Sequence, residues 1–453
     1  MRCAPTAPPR LTETATLLRI AGPLAAAYLA ELAMSLTTKA IIGRLGYREL
    51  AGIGLASDLF WEVVITLVGV LSVVGVLVAQ AEGGGRKADA GVAARQGFIL
   101  ATIAGLPAAA IVWRLDAVLA LTGQDPEIVA LIGPYLKPLA LAMPPLLWFF
   151  VLRTFVAALE RTAAVMTITV LGVGLNYVLC LGLVEGAFGL PALGVAGAGW
   201  AKTIVTVAML LALTLYAYVT PALRGYGLFR GRLRVDPIVF REIIRLGLPV
   251  AAIVLLEVSL FVAVSIFSGV LGPVPLAAYQ IMLAWIAIAF MFARGLAEAG
   301  MVRVAYGVGS NNPRAARQSG LLAMSMGVAV LLALAVVPIR FPEPLVGIFL
   351  SRDDPGFDEV LTLTTRLLVL AAFFQVFDGL QVMATLTLRG LKDTIVPMWL
   401  AAFGYLVLGV AGGWALAFPM GMGADGLWWG MAMGLTVTGT LLATRFWLLT
   451  RQP

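Results

Sequence analysis

Long apolar stretches, interrupted by short polar breaks, run through this chain almost from end to end. A membrane-crossing helix needs about 20 predominantly apolar residues to span a hydrocarbon core of roughly 30 Å. The pattern predicts twelve such helices, at 15–43, 53–80, 94–114, 128–158, 162–185, 192–219, 239–269, 276–305, 316–338, 357–388, 393–417 and 423–450. The runs do not alternate apolar and polar positions, as the strands of an outer-membrane barrel would. Helices satisfy their own backbone where there is no water. The expected fold class is an all-α polytopic membrane protein.

The chain also repeats itself. Sliding it by 226 residues lays Pro23–Ala51 over Pro249–Ala277, and ten of those 29 positions are identical. Among them are Pro23/Pro249, Ala25/Ala251, Glu31/Glu257 and Gly46/Gly272. AARQ at Ala93–Gln96 recurs at Ala315–Gln318, and LERTAAVM (Leu159–Met166) echoes LKDTIVPM (Leu391–Met398). Each half holds six helices. An even number returns the chain to its starting side, so the halves form parallel repeats with a substrate site expected near mid-membrane. The domains expected are a tail at 1–14, a six-helix lobe at 15–219, a basic linker at 220–238 and a second lobe at 239–450.

Composition agrees with the hydropathy. Hydrophobic residues make up 61% and charged residues 12% of the 453, against about a quarter charged in soluble proteins. The net charge of +7 points to anionic lipid rather than nucleic acid, because the basic residues sort by loop. Arg44, Arg48, Arg114, Lys137, Arg340, Arg352 and Arg366 fall on one side and most of the remainder on the other. The positive-inside rule then puts both termini in the cytoplasm of an inner (plasma) membrane. Arg224, Arg230, Arg232 and Arg234 make the central loop a contact for anionic headgroups. The N-terminus lacks the pattern of a cleaved signal. Cys3 and Cys180 suggest neither a disulfide nor a metal site. The chain has no histidine, so carboxylates must handle any proton or ion. There is no Walker A loop and no nucleophile–base pair, so an enzyme is not expected and neither is a bound cofactor.

Six carboxylates fall within the predicted helices: Glu31, Asp58, Glu62, Glu257, Glu298 and Asp378. Acids at membrane depth are costly and mark ion or substrate paths. Glu257 lies eight residues past Pro249 with no basic residue within a turn. Asp378 is mid-helix, flanked by Gln375 and Gln381. A carboxylate so placed can bind and release a proton or a sodium ion. Glu31, the repeat mate of Glu257, is a third coupling candidate. Asp58 and Glu62 belong near an interface, and Glu298 is expected to pair with Arg294 one turn earlier. Lys39 and Lys202 are lone bases that can snorkel to the interface, although Lys39 pointing inward would approach Glu31. Gln280, Gln375, Asn176 and Trp285 are the candidate substrate contacts.

Several segments together resemble the multidrug and toxic compound extrusion (MATE) family: GRLGYRELAGIGLA, VAQAEGGGR, RTFVAALERTAAVMTITVLGVGLNYVL, LGVAGAGWAKTI, LEVSLFVAVSIFSGVLGPVPLAAYQI and LRGLKDTIVPM. The likeness covers about residues 17–450. It implies that Glu257 matches the helix-seven glutamate of the NorM-like and eukaryotic branches. Asp378 likewise resembles the helix-ten aspartate of the NorM-like branch, the two forming a cation site in the second lobe. Thr38-Lys39 stands where many bacterial members read aspartate-threonine, so the first-lobe aspartate of DinF-like members is absent. Tyr279 replaces a histidine common after helix seven. The expectation is a monomeric antiporter whose rocking lobes export cationic or amphipathic drugs or metabolites in exchange for H+ or Na+. The alternative is a lipid-linked precursor flippase of the same superfamily.

Overall fold

The computed structural model describes residues 10–120, 126–229, 234–350, 352 and 355–451; Cys3, Arg230 and Arg232 lie outside them. Twelve helices long and apolar enough to cross a membrane are present among the described residues, one for each predicted stretch. They are α1 (Arg10–Gly43), α2 (Tyr47–Leu71 continued by Val73–Gly83), α3 (Lys87–Trp113), α4 (Pro126–Ala158), α5 (Thr162–Glu185) and α6 (Val195–Val219). The second set is α7 (Pro237–Leu271), α8 (Pro273–Gly309), α9 (Pro313–Arg340), α10 (Phe357–Gly390), α11 (Ile395–Ala417) and α12 (Ala424–Thr450). The middle of α11, Phe403–Ala411, is a π-helix. Side chains on one face of α6, such as Val207, Leu211 and Leu215, are exposed at helical spacing. An apolar stripe open to the surroundings is what a lipid-facing helix presents.

The repeat extends to the turns. Gly85 (φ 69°) and Asn311 (φ 53°) are left-handed two residues before α3 and α9 begin. Each sits in the same closing pattern: Gly85 N–H bonds Glu82 O and Arg86 N–H bonds Ala81 O, while Asn311 N–H bonds Val308 O and Asn312 N–H bonds Gly307 O. The pattern returns after α4 and α10, where Glu160 (φ 59°) and Lys392 (φ 62°) are left-handed. There Arg161 N–H bonds Val156 O and Asp393 N–H bonds Leu388 O. Such bonds satisfy the last orphan carbonyls of a helix. A non-glycine residue rarely adopts this conformation, so its recurrence in LERT and LKDT ties the sequence echo to a shared backbone requirement.

Contacts group the chain into two units, Ala26–Ala251 and Met1–Ala25 with Ala252–Pro453. This differs from the hydropathy-based lobes, which divide in the loop before α7. Each boundary falls two residues after a repeated proline, Pro23 in α1 and Pro249 in α7. A proline removes an i→i−4 bond and bends the helix, so the segment before it packs with different partners from the segment after it.

Within the second unit, Arg303 grips Glu13 through two hydrogen bonds, Nε to Oε1 at 2.9 Å and Nη2 to Oε2 at 2.8 Å. The Ser319 hydroxyl donates to Glu13 Oε1 at 2.6 Å. Within the first unit, Gln96 Nε2 donates to Arg234 O at 2.8 Å, Asp236 N–H donates to Gln96 Oε1 at 3.1 Å, and Arg95 reaches Gly227 O at 2.6 Å. The repeated AARQ therefore sits at both anchors: Arg95 and Gln96 belong to the first copy, and Ser319 directly follows the second.

Close packing repeats at the same offset. A Cβ on Gly69 would lie 3.1 Å from Ala251 Cα, and one on Gly295 would lie 2.9 Å from Ala21 O and from Ala25 N. Gly295→Val is expected to cost about 1–3 kcal/mol through overpacking against backbone. Gly22→Ala, with nothing within 4 Å of the new Cβ, should leave the melting temperature of purified protein unchanged. Equal melting of both variants would contradict this packing.

Candidate transport site

In the second unit, α7, α8, α10 and α11 bring together groups far apart in sequence. Glu257 on α7 is half-buried. Asp378 on α10 is 2% exposed and lies within electrostatic reach of Glu257. The positive charges that act on Glu257 are those of Arg294 on α8 and Arg389 on α10. Tyr405, fully buried on the π-helical part of α11, is in electrostatic reach of both acids. Asp378 Oδ1 and the Tyr405 hydroxyl have no hydrogen-bond partner among the described residues. Leaving such groups buried and unpaired costs about 1–3 kcal/mol each, a cost that an arriving ligand or ion can remove.

Aromatic rings wall this region. Phe374, one turn before Asp378, packs edge-on against Phe261 (6.1 Å) and Trp428 (5.6 Å). Tyr279 packs on Trp428 at 6.0 Å and donates its hydroxyl to Phe261 O at 2.9 Å. Arg294 was expected to serve Glu298, four residues on; its charge also acts on Glu257.

Of the four candidate substrate contacts, Gln375, Trp285 and Gln280 belong to the second unit. Gln375 and Trp285 line the same cavity of about 10 Å³ with Met282, Ile286 and Pro338, room for about one water. Gln375 donates to Leu331 O at 3.2 Å, and the indole N–H of Trp285 is buried with no partner among the described residues. Gln280 is exposed and donates to Ser265 Oγ at 3.3 Å. Asn176 belongs to the first unit.

In that first unit, Glu31 accepts from Arg153 Nη1 at 2.5 Å, the two side chains being 20% and 2% exposed. The same guanidinium lies 4.5 Å from the centre of the Tyr28 ring. Lys39 pairs with the exposed Asp58 at 3.7 Å rather than with Glu31. Asn176 Nδ2 donates to Thr38 Oγ1 at 3.1 Å, which in turn donates to Met34 O at 3.0 Å and lies 3.7 Å from Cys180 Sγ. Lys202 shares the face of α6 that buries Ala198, Ala201 and Val205, and its Nζ lies 5.7 Å from the centre of the Trp61 ring. Among the described residues, no three of Asp, Glu, Cys and His gather as a metal site.

A family model described as MatE matches residues 23–181 and again residues 249–415. The chain belongs to the MatE family. The two matches begin at Pro23 and Pro249, the start of the internal repeat, so this MATE transporter carries the family unit twice. It is 40% identical over 446 residues to the "Probable multidrug resistance protein NorM" of Pseudomonas putida, covering 98% of this chain and 96% of the relative. It is 37% identical to the Rhizobium meliloti protein of the same description, covering 95% and 92%. The crystal structure of the eukaryotic MATE transporter AtDTX14 superposes with a TM-score of 0.85 at 22% identity, covering 98% of each chain. An outward-facing multidrug resistance MATE transporter does so with 0.86 at 19%, covering 96% of each. At those identities the likeness concerns the fold. Tyr405 and Arg389, whose groups lie in electrostatic reach of the acid pair, are the two residues of this region that sequence reasoning did not single out.

Proposed function

We propose that this transporter is a secondary antiporter of the inner membrane that exports cationic or amphipathic small molecules in exchange for H+ or Na+. The observation that carries this reading is the acid pair Glu257 and Asp378, set among apolar and aromatic side chains with Asp378 Oδ1 and the Tyr405 hydroxyl left unpartnered. In a water-poor site a carboxylate attracts a cation far more strongly than it would in water. A proton or sodium ion entering the site neutralises the acids and weakens their hold on a positively charged substrate. Substrate binding, by the same linkage, expels the ion. Mutually exclusive occupancy of one site is the condition for exchange, and rocking of the two six-helix halves gives it alternating access.

In this reading Glu257 and Asp378 couple, and the unpartnered Tyr405 hydroxyl is a group that the arriving ion or substrate can bind. Trp285 and Gln375 line the apolar approach, and Glu31 serves the first unit's structure through Arg153. Both termini are assigned to the cytoplasm and the protein works as a monomer. The relatives' descriptions as multidrug resistance proteins support drugs as the cargo.

The test is ethidium export from proteoliposomes, driven first by an imposed pH step and then by a sodium step. One of the two gradients is expected to drive export. If neither did so while the protein was correctly inserted, the antiport reading would fall. Tyr405→Phe is expected to retain export with its dependence on the driving ion's concentration displaced by about tenfold, the scale of one hydrogen bond to a charged group. An unchanged ion dependence would remove Tyr405 from the site.

A further inference from the structure

We propose that the second unit carries a binding site for an anionic phospholipid, built from Arg317 near the start of α9, Arg451 at the end of α12 and the groove beside them. The site concerns the protein's hold on the bilayer rather than its cargo, and it does not depend on the export reading above.

Close packing brings the two helix ends together. A Cβ on Gly320 would strike the Phe446 ring, so a residue without a side chain lets the first turns of α9 close on the last turns of α12. Arg317 lies one turn before Gly320, and Trp447 is next to Phe446. The Arg317 guanidinium is 5.9 Å from the centre of the Trp447 ring, and that of Arg451 is 4.6 Å from it. Neither has a carboxylate at ion-pair distance among the described residues. The acids of this end of the unit are already taken. Asp393 is held by Arg445 at 2.5 Å, and Glu13 by Arg303 and Ser319. A guanidinium over an aromatic face is favourable by itself, but two gathered at one ring repel each other. An anion between them removes that cost, and phosphate oxygens match the paired N–H groups of an arginine.

A groove of about 280 Å³ runs alongside, lined by Asn311, Asn312, Pro313, Ala316, Leu449 and Thr450 among others. Ala316 and Thr450 directly precede the two arginines, so the groove leads up to the guanidiniums. The Asn311 side chain is exposed and has no partner among the described residues. The Thr450 hydroxyl donates to Phe446 O at 2.8 Å, and its oxygen can still accept. At the matching turn of the first unit, after Gly85, the chain itself fills the place: Tyr226 donates to Glu82 at 2.8 Å, with the Lys87 ammonium 5.6 Å from its ring centre. No such occupant closes the second groove among the described residues.

The surface next to the groove selects a lipid over a free phosphate. Trp447 is 36% exposed, and Leu448 and Leu441 continue an exposed apolar strip along α12 towards the membrane interior. A tryptophan at the end of a membrane helix sits at headgroup level, and basic pockets between helices at that level take anionic headgroups. The phosphate then meets the arginines, the rest of the headgroup enters the groove, and the acyl chains follow the leucines.

The test is lipid retention by the full chain purified in detergent. The protein is mixed with phosphatidylglycerol, or with phosphatidylcholine of the same acyl chains, and adducts are read by native mass spectrometry. Wild-type protein is expected to hold phosphatidylglycerol in preference. Arg317→Gln with Arg451→Gln should weaken that adduct about tenfold, the scale of one hydrogen bond to a charged group. Arg241→Gln with Arg245→Gln, which removes the same charge from exposed positions of α7, should leave it within about twofold. Equal retention of the two lipids by wild-type protein, or equal effects of the two double variants, would overturn the site. If the Arg317 and Arg451 double variant does not fold, Arg451→Gln alone, at an exposed position, carries the same comparison. A large excess of inorganic phosphate should leave the lipid adduct in place. Displacement by it would give the guanidiniums to a free anion and overturn the lipid assignment.

Discussion

Glu257→Gln and Asp378→Asn are expected to abolish ion-driven export while leaving the protein folded and inserted. Both replacements keep the shape of the side chain and remove the charge. The physical basis is linkage: an ion that changes substrate affinity does so through a coupling free energy, about 1–3 kcal/mol or 5–150-fold in typical cases. In wild-type protein, saturating ion should therefore weaken binding of a cationic dye by a factor in that range. In either variant the factor should collapse towards one. Stability should not suffer, because replacing a buried ionised group by a neutral isostere removes a desolvation cost. Asp378, 2% exposed with one oxygen unpartnered, should show the larger loss. The half-buried Glu257 has two guanidiniums in electrostatic reach and should retain more residual binding. Full coupling in both variants would contradict the assignment.

The second large effect concerns stability. Arg153→Met removes the partner that holds Glu31 at 2.5 Å and leaves a carboxylate stranded in the first unit. Breaking a buried ion pair from one side costs about 3–5 kcal/mol. A marginally stable protein should then lose most of its monodisperse fraction on mild heating, as read by size-exclusion chromatography. Removing both charges, Glu31→Gln with Arg153→Met, should recover much of that loss, because no unpaired charge remains. Glu31→Gln alone should keep its ion coupling. If instead it lost coupling as completely as Asp378→Asn, the ion path would include the first unit.

The sequence already carried the twelve helices, because a bilayer imposes a length and a hydropathy that a linear reading can measure. The repeat was equally plain: the shift of 226 residues that aligns Glu31 with Glu257 also separates the starts of the two family matches. Glu257 and Asp378 stood out as acids in apolar runs. What stayed hidden was whatever depends on neighbours across helices. Spacing assigned Arg294 to Glu298, since i,i+4 is visible in one dimension and the approach of α8 to α7 is not. Tyr405 sits in an unremarked apolar run, FGYLVLGV, and a π-helix has no simple periodic signal. The contact of Lys202 with the Trp61 ring was hidden too, because hydropathy does not say which face of α6 packs against its neighbours. AARQ was visible as an echo, but the bond of Arg303 to Glu13 joins residues 290 apart. The packing change at Pro23 and Pro249 was equally invisible, because hydropathy sees one uninterrupted helix.

The central claim is that ion and substrate compete for the same acids, and ion release on substrate binding tests it most directly. Ethidium is titrated into weakly buffered purified protein while a pH indicator and a sodium electrode record what leaves. Wild-type protein should release one of the two ions in proportion to the ethidium bound, and Asp378→Asn should release much less. Ethidium binding without release of either ion, or undiminished release from both Asp378→Asn and Glu257→Gln, would contradict the account.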